Sequence, residues 1–329
     1  MNWKGLKVLV TGAEGFIGSH LTEALVQKGA IVTALIKNNF QENQGFIDEF
    51  EPGTRKKIKV IFSDVNDYNA VADAVRGNHV IFHLAAEISV PYSYVHPRIF
   101  VQTNIIGTFN VLMACKGHGV KKLIHMSTSE VYGTPEKVPI REDDQLKGQS
   151  PYSASKISAE KLAESFFSSY GLPVVVVRTF NTYGPRQSAR AIIPTLITQA
   201  LFRQKIFMGN DKPTRDFNFV LDTVHGLIKV AENSKLVGQV VNIGSGKDIS
   251  VGELAKKILQ LTGSKAVVVR DPKRLRPKKS EVMKLRADNS KIRKFTGWKP
   301  ETNLDDGLKQ TIAYIAEHPH LFKTGEYQI

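Results

Sequence analysis

Thr11-Gly12-Ala13-Glu14-Gly15-Phe16-Ile17-Gly18 is the stretch whose reading decides the fold. The residues before it, Val8-Leu9-Val10, form an apolar run with strand character. The residues after it repeat apolar positions at Ile17, Leu21, Ala24 and Leu25 and stop at Gly29. Strand, glycine turn and helix follow one another, with glycines spaced G-x-x-G-x-x-G. In such a turn Gly12 permits a tight bend, Gly15 lets the backbone approach a pyrophosphate, and Gly18 lets helix pack close to strand. A purely structural glycine turn is the competing reading, because turns use glycine freely. The context decides against it: a second apolar run, Ile31 to Ile36, completes the βαβ unit that a dinucleotide site requires.

The 329 residues suffice for one large or two smaller domains, and 42% hydrophobic with 23% charged residues is ordinary for a globular chain. No apolar run approaches a membrane span. Met1-Asn2-Trp3-Lys4 leads straight toward the first strand, so no signal peptide is expected. The one cysteine, Cys115, excludes an internal disulfide and a cysteine-cluster metal site, which fits a reducing cytoplasm. The histidines are scattered, and no metal is expected. The net charge of +14 raises the question of nucleic acid. Its distribution argues otherwise. Arg270 to Lys294 hold eleven Lys/Arg, Lys278 among them, against three acids, more than half the excess in one late segment. Attraction of an anionic small molecule explains that better than nucleic acid, since no stacking aromatics interleave with the charges.

Beyond the second strand, residues 37–57 read as a loop. Ile58 to Phe62 is a strand ending near Asp64, an acid placed to accept from an adenine amino group or to start a helix. Asp67 to Val75 reads as helix. Val80 to Ala86 is a strand running into small residues, over which a cofactor could lie. Pro97 to Cys115 reads as one long helix, and Lys122 to Met126 as a strand leading into Ser127-Thr128-Ser129-Glu130. Ser150-Pro151 starts a helix that stops at Gly171, because serine caps and proline suits the first turn. Val174 to Val177 is a buried parallel strand. This alternation predicts an α/β, doubly wound parallel sheet over 1–179. A smaller C-terminal α/β substrate-binding lobe follows over 180–329, with some elements interleaved back onto the first. In it Asn181 to Pro185 reads as a turn. Helices are expected at 192–202, 222–232 and 251–261, and strands at 214–219, 239–243 and 267–270.

Tyr152 and Lys156 are four apart on one helix and share a face. A tyrosine with its ordinary pKa of about 10 is a poor base at neutral pH. A lysine one turn away favours the phenolate. Ser127 and Thr128 sit at a strand's carboxyl end, in reach of a substrate hydroxyl. Together they make a device that removes a proton from an alcohol as hydride leaves its carbon. A surface Tyr–Lys pair on an amphipathic helix is the bland alternative, and the preceding nucleotide fold weighs against it.

These motifs, with His83-Leu84-Ala85-Ala86, Asn104, Ser127 to Gly133, Tyr152 to Lys156, Asn181 to Pro185, Arg215-Asp216-Phe217 and Gly297-Trp298-Lys299-Pro300, resemble the extended short-chain dehydrogenase/reductases. Those are Rossmann-type NAD-dependent nucleotide-sugar epimerases and dehydratases, and the likeness spans essentially the whole chain. Pro91 to Tyr94, Gly148 to Tyr152 and Gly184 to Arg190 carry a finer resemblance. It is to the 4,6-dehydratases of legionaminic-acid-type pathways, which act on nucleotide-linked N-acetylglucosamine.

The resemblance implies cofactor contacts at Gly12, Gly15, Phe16, Ile17, Gly18, Lys37, Asp64, Val65, Leu84, Ala85, Ala86, Asn104, Ser127, Tyr152 and Lys156. It implies catalysis by Tyr152, Lys156, Thr128, Ser129 and Glu130. The substrate, a nucleotide-diphosphate sugar carrying UDP or GDP, would meet Ser89, Asn181, Arg190, Arg215 and Arg276. Glu130 is placed to take the C5 proton after oxidation at C4, before water leaves C6 and hydride returns there. In the dTDP-glucose 4,6-dehydratases an Asp precedes that Glu; Ser129 replaces it here. A 4-epimerase, or an oxidoreductase on a 5,6-unsaturated nucleotide sugar, stays open. A nucleotide-sugar acid decarboxylase and a non-catalytic NAD(P)-binding protein rank lower. NAD sites usually carry an acid after the second strand. Ile36-Lys37-Asn38-Asn39 stands there, and Lys37 suits a 2′-phosphate, so NADP is possible although the resemblance implies NAD. The helices at 97–115 and 152–170 are apolar enough to pair in a homodimer.

Overall fold

The computed structural model describes residues 1–39, 41, 43–277 and 279–322. Phe40, Glu42, Lys278 and the end of the expected lobe, 323–329, lie outside the described residues.

Seven parallel strands form the main sheet: β1 (Lys7–Thr11), β2 (Ile31–Ile36), β3 (Ile58–Phe62), β4 (Val80–His83), β5 (Lys122–Thr128), β6 (Val174–Thr179) and, from far along the chain, Val240–Ile243. Their spatial order is Val240–Ile243, β6, β5, β4, β1, β2, β3. The order reverses between β1 and β4, and it is at such a reversal that open α/β sheets bind ligands, beyond the strands' carboxyl ends. β6 reads Val-Val-Val-Val-Arg-Thr and is buried throughout, as a parallel strand covered on both faces must be. One face is covered by Leu21, Leu25, Val224, Leu227 and Trp298. The other is covered by Val111, Leu112, Cys115, Ala163 and Phe166. Each leucine, valine or phenylalanine among them, fully buried, contributes roughly 1.5–3 kcal/mol.

The chain beyond β6 adds β7 (Asn181–Tyr183), β8 (Lys205–Met208) and β9 (Thr214–Phe219). Numbering Val240–Ile243 as β10, it closes with β11 (Asp248–Ser250) and β12 (Val267–Arg270). β9 lies between β7 and β11, while β8 and β12 pair separately. Helices Ile192–Phe202, Val251–Thr262 and Leu304–Glu317 bury Leu196, Leu254, Ile258 and Leu308 against them, and Phe16 and Ile17 of the glycine turn pack onto the same core.

Four expectations are corrected. Residues 37–57 are not all loop: Gly45–Glu49 forms a 3₁₀ turn and Pro52–Arg55 a short helix. Ile47 and Phe50, both buried, draw that segment onto the sheet's cover. The helix expected over 97–115 runs from Pro97 to His118 but passes through a π-helical turn at Val101–Ile106. Asn181 to Tyr183 is a strand, because β9 supplies parallel partners from Phe217 to Phe219. The helix after β3 is capped by Asp67, whose side chain accepts from the Ala70 N–H, and not by Asp64.

Candidate active site

The helix after the glycine turn, Phe16–Gln27, begins at Gly15 with no side chain capping it and no acid in its first turn. The helix Pro151–Tyr170 is built the other way, with Ser150 and Ser153 in a reciprocal capping box and Gly171 closing it at φ 67°. An uncapped helix start aims free N–H groups and the positive end of the dipole at whatever lies before it. Gly12 has φ 69°, and a Cβ there would meet the Ala85 backbone at 2.9 Å. A Cβ on Gly18 would lie 2.0 Å from the Gly12 carbonyl oxygen, so only glycine permits this close packing. Above Gly15 nothing comes nearer than that same oxygen at 3.4 Å, which leaves the backbone approachable. The structure thus forms a cradle suited to a pyrophosphate.

Around the cradle, Thr11 Oγ1 accepts from the Ala85 N–H at 3.2 Å, which fixes the turn Leu84-Ala85-Ala86 beyond β4. Asn104, carried on the π-helical turn, accepts from the Glu87 N–H at 2.8 Å and donates to Glu87 O at 3.0 Å and Ser155 Oγ at 2.9 Å. It therefore ties the β4 loop to the helix of Tyr152. Such turns recur at functional sites because they aim one residue off the helical ladder. Asp64 accepts from the backbone and side-chain N–H groups of Asn66, both at 2.8 Å. Val65 packs against Gly107, where a Cβ would come 2.7 Å from its methyl. Lys37 reaches Glu87 at 3.3 Å while remaining largely exposed.

Tyr152 and Lys156 are both buried. Burial pushes the Tyr152 phenol well above its ordinary value; the Thr128 side chain's hydrogen bond counters this, and the Glu130 charge adds to it. Lys156 donates to Met126 O at 2.7 Å. Burial lowers its pKa to about 8, with Glu160 acting in opposition. Both groups are dehydrated, and the phenol stands above its ordinary value, not below it as a neighbouring lysine was expected to set it, because burial dominates and Lys156 is held on the Met126 carbonyl. Thr128 Oγ1 also accepts from the Glu130 N–H at 3.2 Å, turning the chain after β5 so that Glu130 comes near Tyr152. Ser129 is buried, and the Ser127 hydroxyl is buried without a partner. An unpaired buried hydroxyl is costly, and a polar group of a bound ligand would satisfy it.

Arg215 on β9 is buried. Its Nη1 donates to Thr214 O at 3.0 Å, and its Nη2 stands 3.7 Å from Glu281. Burial depresses its pKa; Glu130 and Glu281 oppose this and Arg276 adds to it. Arg276 lies 4.0 Å from the same Glu281 oxygen, and its Nη1 is buried without a hydrogen bond. Two guanidiniums therefore share Glu281, and the charge of Glu130 acts on Arg215 as well. Asn181 Oδ1 is likewise buried and unpaired. Arg190 is exposed, near the end of the loop from Gly184. Ser89 caps the helix Val90–Val95, accepting from the Tyr92 N–H at 3.3 Å. Of the basic run 270–294, Arg276 reaches this cluster, whereas Lys284 and Arg286 face Asp248 at 3.9 and 3.6 Å.

Several residues that sequence reasoning passed over hold the site together. Asp216 accepts from the Ser245 N–H and Oγ at 2.7 and 2.6 Å, Gly246 N–H at 2.8 Å and Ala287 N–H at 3.0 Å. It pins Arg215's strand to two distant loops. Arg178 meets Glu160 at 2.7 Å and the Tyr132 hydroxyl at 2.9 Å, all buried beneath Lys156. His83 bonds Thr11 at 2.8 Å and Thr108 at 3.0 Å; burial and the Lys156 charge lower its pKa to about 3. The Arg215-Asp216 motif and the i, i+4 spacing of Lys156 and Glu160 were the available signals.

Residues 9–311 match the family described as GDP-mannose 4,6 dehydratase. The chain belongs to the NAD-dependent epimerase/dehydratase family of nucleotide-sugar enzymes. A UDP-N-acetyl-alpha-D-glucosaminuronate decarboxylase of Bacillus cytotoxicus is 35% identical, the match covering 94% of this chain and 98% of that one. A dTDP-glucose 4,6-dehydratase of Streptomyces griseus is 34% identical, covering 94% of each. The crystal structure of DesIV, a dTDP-glucose 4,6-dehydratase from Streptomyces venezuelae with NAD and TYD bound, superposes with a TM-score of 0.87 at 28% identity, covering 97% of this chain and 99% of that one. Epimerases stand among the family relatives as well.

Proposed function

We propose that the protein is a nucleotide-sugar 4,6-dehydratase acting on UDP- or GDP-N-acetylglucosamine with NAD. The observation that carries this reading is the place of Glu130. Its charge bears both on the Tyr152 phenol and on the Arg215 guanidinium. One carboxylate therefore acts both on the group suited to the C4 oxygen and on a cation suited to the diphosphate. NAD fits the chain's own features: the uncapped helix start, the cradle that a Cβ on Gly12 or Gly18 would fill, and the unpaired Ser127 hydroxyl. When bound, it supplies a hydride acceptor that later returns the hydride.

In this reading Tyr152 takes the C4 hydroxyl proton, with Thr128 as its hydrogen-bond partner and Lys156 stabilising the phenolate. Glu130 takes the C5 proton, made acidic by the C4 ketone, and that proton leaves with the C6 hydroxyl as water. C5 regains a solvent-derived proton through Glu130 as hydride returns to C6, and Tyr152 releases to solvent the proton it took. Arg215 and Arg276 grip the diphosphate by charge-assisted hydrogen bonds, with Asn181 beside them and Arg190 and Ser89 at the margin.

A 4-epimerase or an acid decarboxylase is the second reading, favoured by buried Ser129 at the position where dTDP-glucose dehydratases carry a second acid. Mass spectrometry of products from a panel of nucleotide sugars separates the three. Loss of water supports dehydration, loss of carbon dioxide from a uronic acid supports decarboxylation, and an isomer of unchanged mass supports epimerisation.

The enzyme is further inferred to be a homodimer paired through the helices at 97–118 and 151–170, supported by Val101, Ile106, Phe109, Phe167 and Tyr170 exposed on them. Sedimentation showing a monomer at micromolar concentration would count against pairing.

A further inference from the structure

Glu14 sits inside the glycine turn, yet its carboxylate works at the end of β2. Its Oε1 accepts the N–H of Lys37, the residue immediately after β2, at 2.9 Å. Its Oε2 is buried and has no hydrogen-bond partner. Its backbone carbonyl accepts from the Phe46 N–H at 3.2 Å, and Gly45 presses so close that a Cβ there would meet that oxygen at 2.7 Å. The Glu14 backbone is thus fixed by this segment, and its carboxylate is held by one oxygen with the other buried and left over.

In a Rossmann sheet, the end of β2 is the station from which an acid accepts from the 2′-hydroxyl of the adenine ribose. Here that station holds Lys37, whose Nζ pairs with Glu87 at 3.3 Å. The residue at the station is basic, but the carboxylate at the station belongs to Glu14. A buried carboxylate oxygen lacking a donor is expensive, and a ribose hydroxyl is a donor of the right size. A 2′-phosphate there would set a dianion against a carboxylate that cannot turn away.

We propose that Glu14 is the ribose-binding residue and the determinant of NAD over NADP, doing from the glycine turn what other chains do from the end of β2. The assignment rests on the proposed use of a nicotinamide dinucleotide. Its prediction is opposite to that drawn from Lys37 in the sequence, which favoured the phosphorylated cofactor.

The test is calorimetric titration of the full chain, stripped of nucleotide, with NAD, NADP and 2′-deoxyadenosine NAD. The wild type should prefer NAD to NADP, and removal of the 2′-hydroxyl should weaken binding roughly tenfold or more, as expected for a lost hydrogen bond to a charged group. Glu14→Gln keeps an acceptor for the Lys37 N–H but loses the charge. It should weaken NAD by a similar factor, abolish the penalty for the deoxy analogue and narrow the preference over NADP. Adding Lys37→Asp to that variant should restore NAD preference. If the wild type binds NAD but is indifferent to the 2′-hydroxyl, the assignment is overturned, and this arm does not depend on the variant folding. An unchanged NAD to NADP ratio in folded Glu14→Gln overturns it too. Failure of the wild type to bind either dinucleotide would instead overturn the cofactor reading itself.

Discussion

At the sheet end of the candidate site, Lys156 is buried with its proton loosely held. It donates to a backbone carbonyl and feels the charge of Glu160, a carboxylate already claimed by Arg178. At the lobe end, Arg215 and Arg276 are two permanent cations sharing Glu281 across gaps of 3.7 and 4.0 Å. In the first arrangement burial loosens the hold on the cation's proton. The second is rich in charge and short of hydrogen bonds, with one guanidinium nitrogen buried and unpaired. Guanidinium does not lose its proton in a protein, so the unpaired Arg276 nitrogen is relieved by an incoming acceptor and not by deprotonation. A lysine can lose its proton, so burial tunes it. One end is therefore suited to moving protons and the other to holding a ligand still.

Tyr152→Phe should break the proton-moving end completely, lowering turnover by about 10⁴-fold, the upper range for a lost acid/base. No reduced-nicotinamide absorbance should develop on mixing with substrate. Glu130→Gln should lower product formation by roughly 10²–10³-fold, while absorbance near ~340 nm still rises as hydride leaves C4. Deuterium from solvent should not enter C5. Unimpaired product from this variant would sink the dehydratase reading and shift weight to epimerisation.

Arg276→Ala probes the opposite end. It should weaken binding of the nucleotide sugar by roughly ten- to a hundredfold, through loss of a charge-assisted hydrogen bond, and leave dinucleotide affinity unchanged. Equal loss of both in calorimetry would mean that the two ends are not separate.

The smallest effect is on stability. Lys156 has a folded pKa of about 8 against an ordinary 10.5. Between those values the unfolded chain binds more protons, so this residue makes the nucleotide-free protein more stable as pH rises through the window. Urea unfolding at pH 8 and 10 should show that rise in the wild type and a flatter dependence in Lys156→Met.

The same contrast explains what the sequence disclosed. The sheet end is built from contiguous signals: a glycine turn, apolar runs such as Val174 to Val177, and a Tyr–Lys pair one helical turn apart. Each depends on neighbours in the chain, so its spacing is visible before folding. The lobe end is assembled from Arg215, Arg276 and Glu281, whose mutual distances depend on strands pairing across long separations, β8 with β12 and β9 with β11. Resemblance named the two arginines, but nothing local distinguished Glu281 from the other acids of a basic stretch. β8 and β11, four and three residues long, were missed because so short a run carries no periodicity. Glu14 received no role from the sequence, since its part depends on where β2 ends.

β10 has a consequence for synthesis. It pairs with β6, from which about 60 residues separate it along the chain. A ribosome adding roughly 5–20 residues per second takes about 3–12 s to deliver it. Through that interval Val174-Val175-Val176-Val177 is an apolar edge open on one side, the kind of surface that recruits other chains. Nascent chains should therefore bind chaperones more when Phe202 has just emerged than when Arg270 has, an expectation that crosslinking of stalled ribosomes would check.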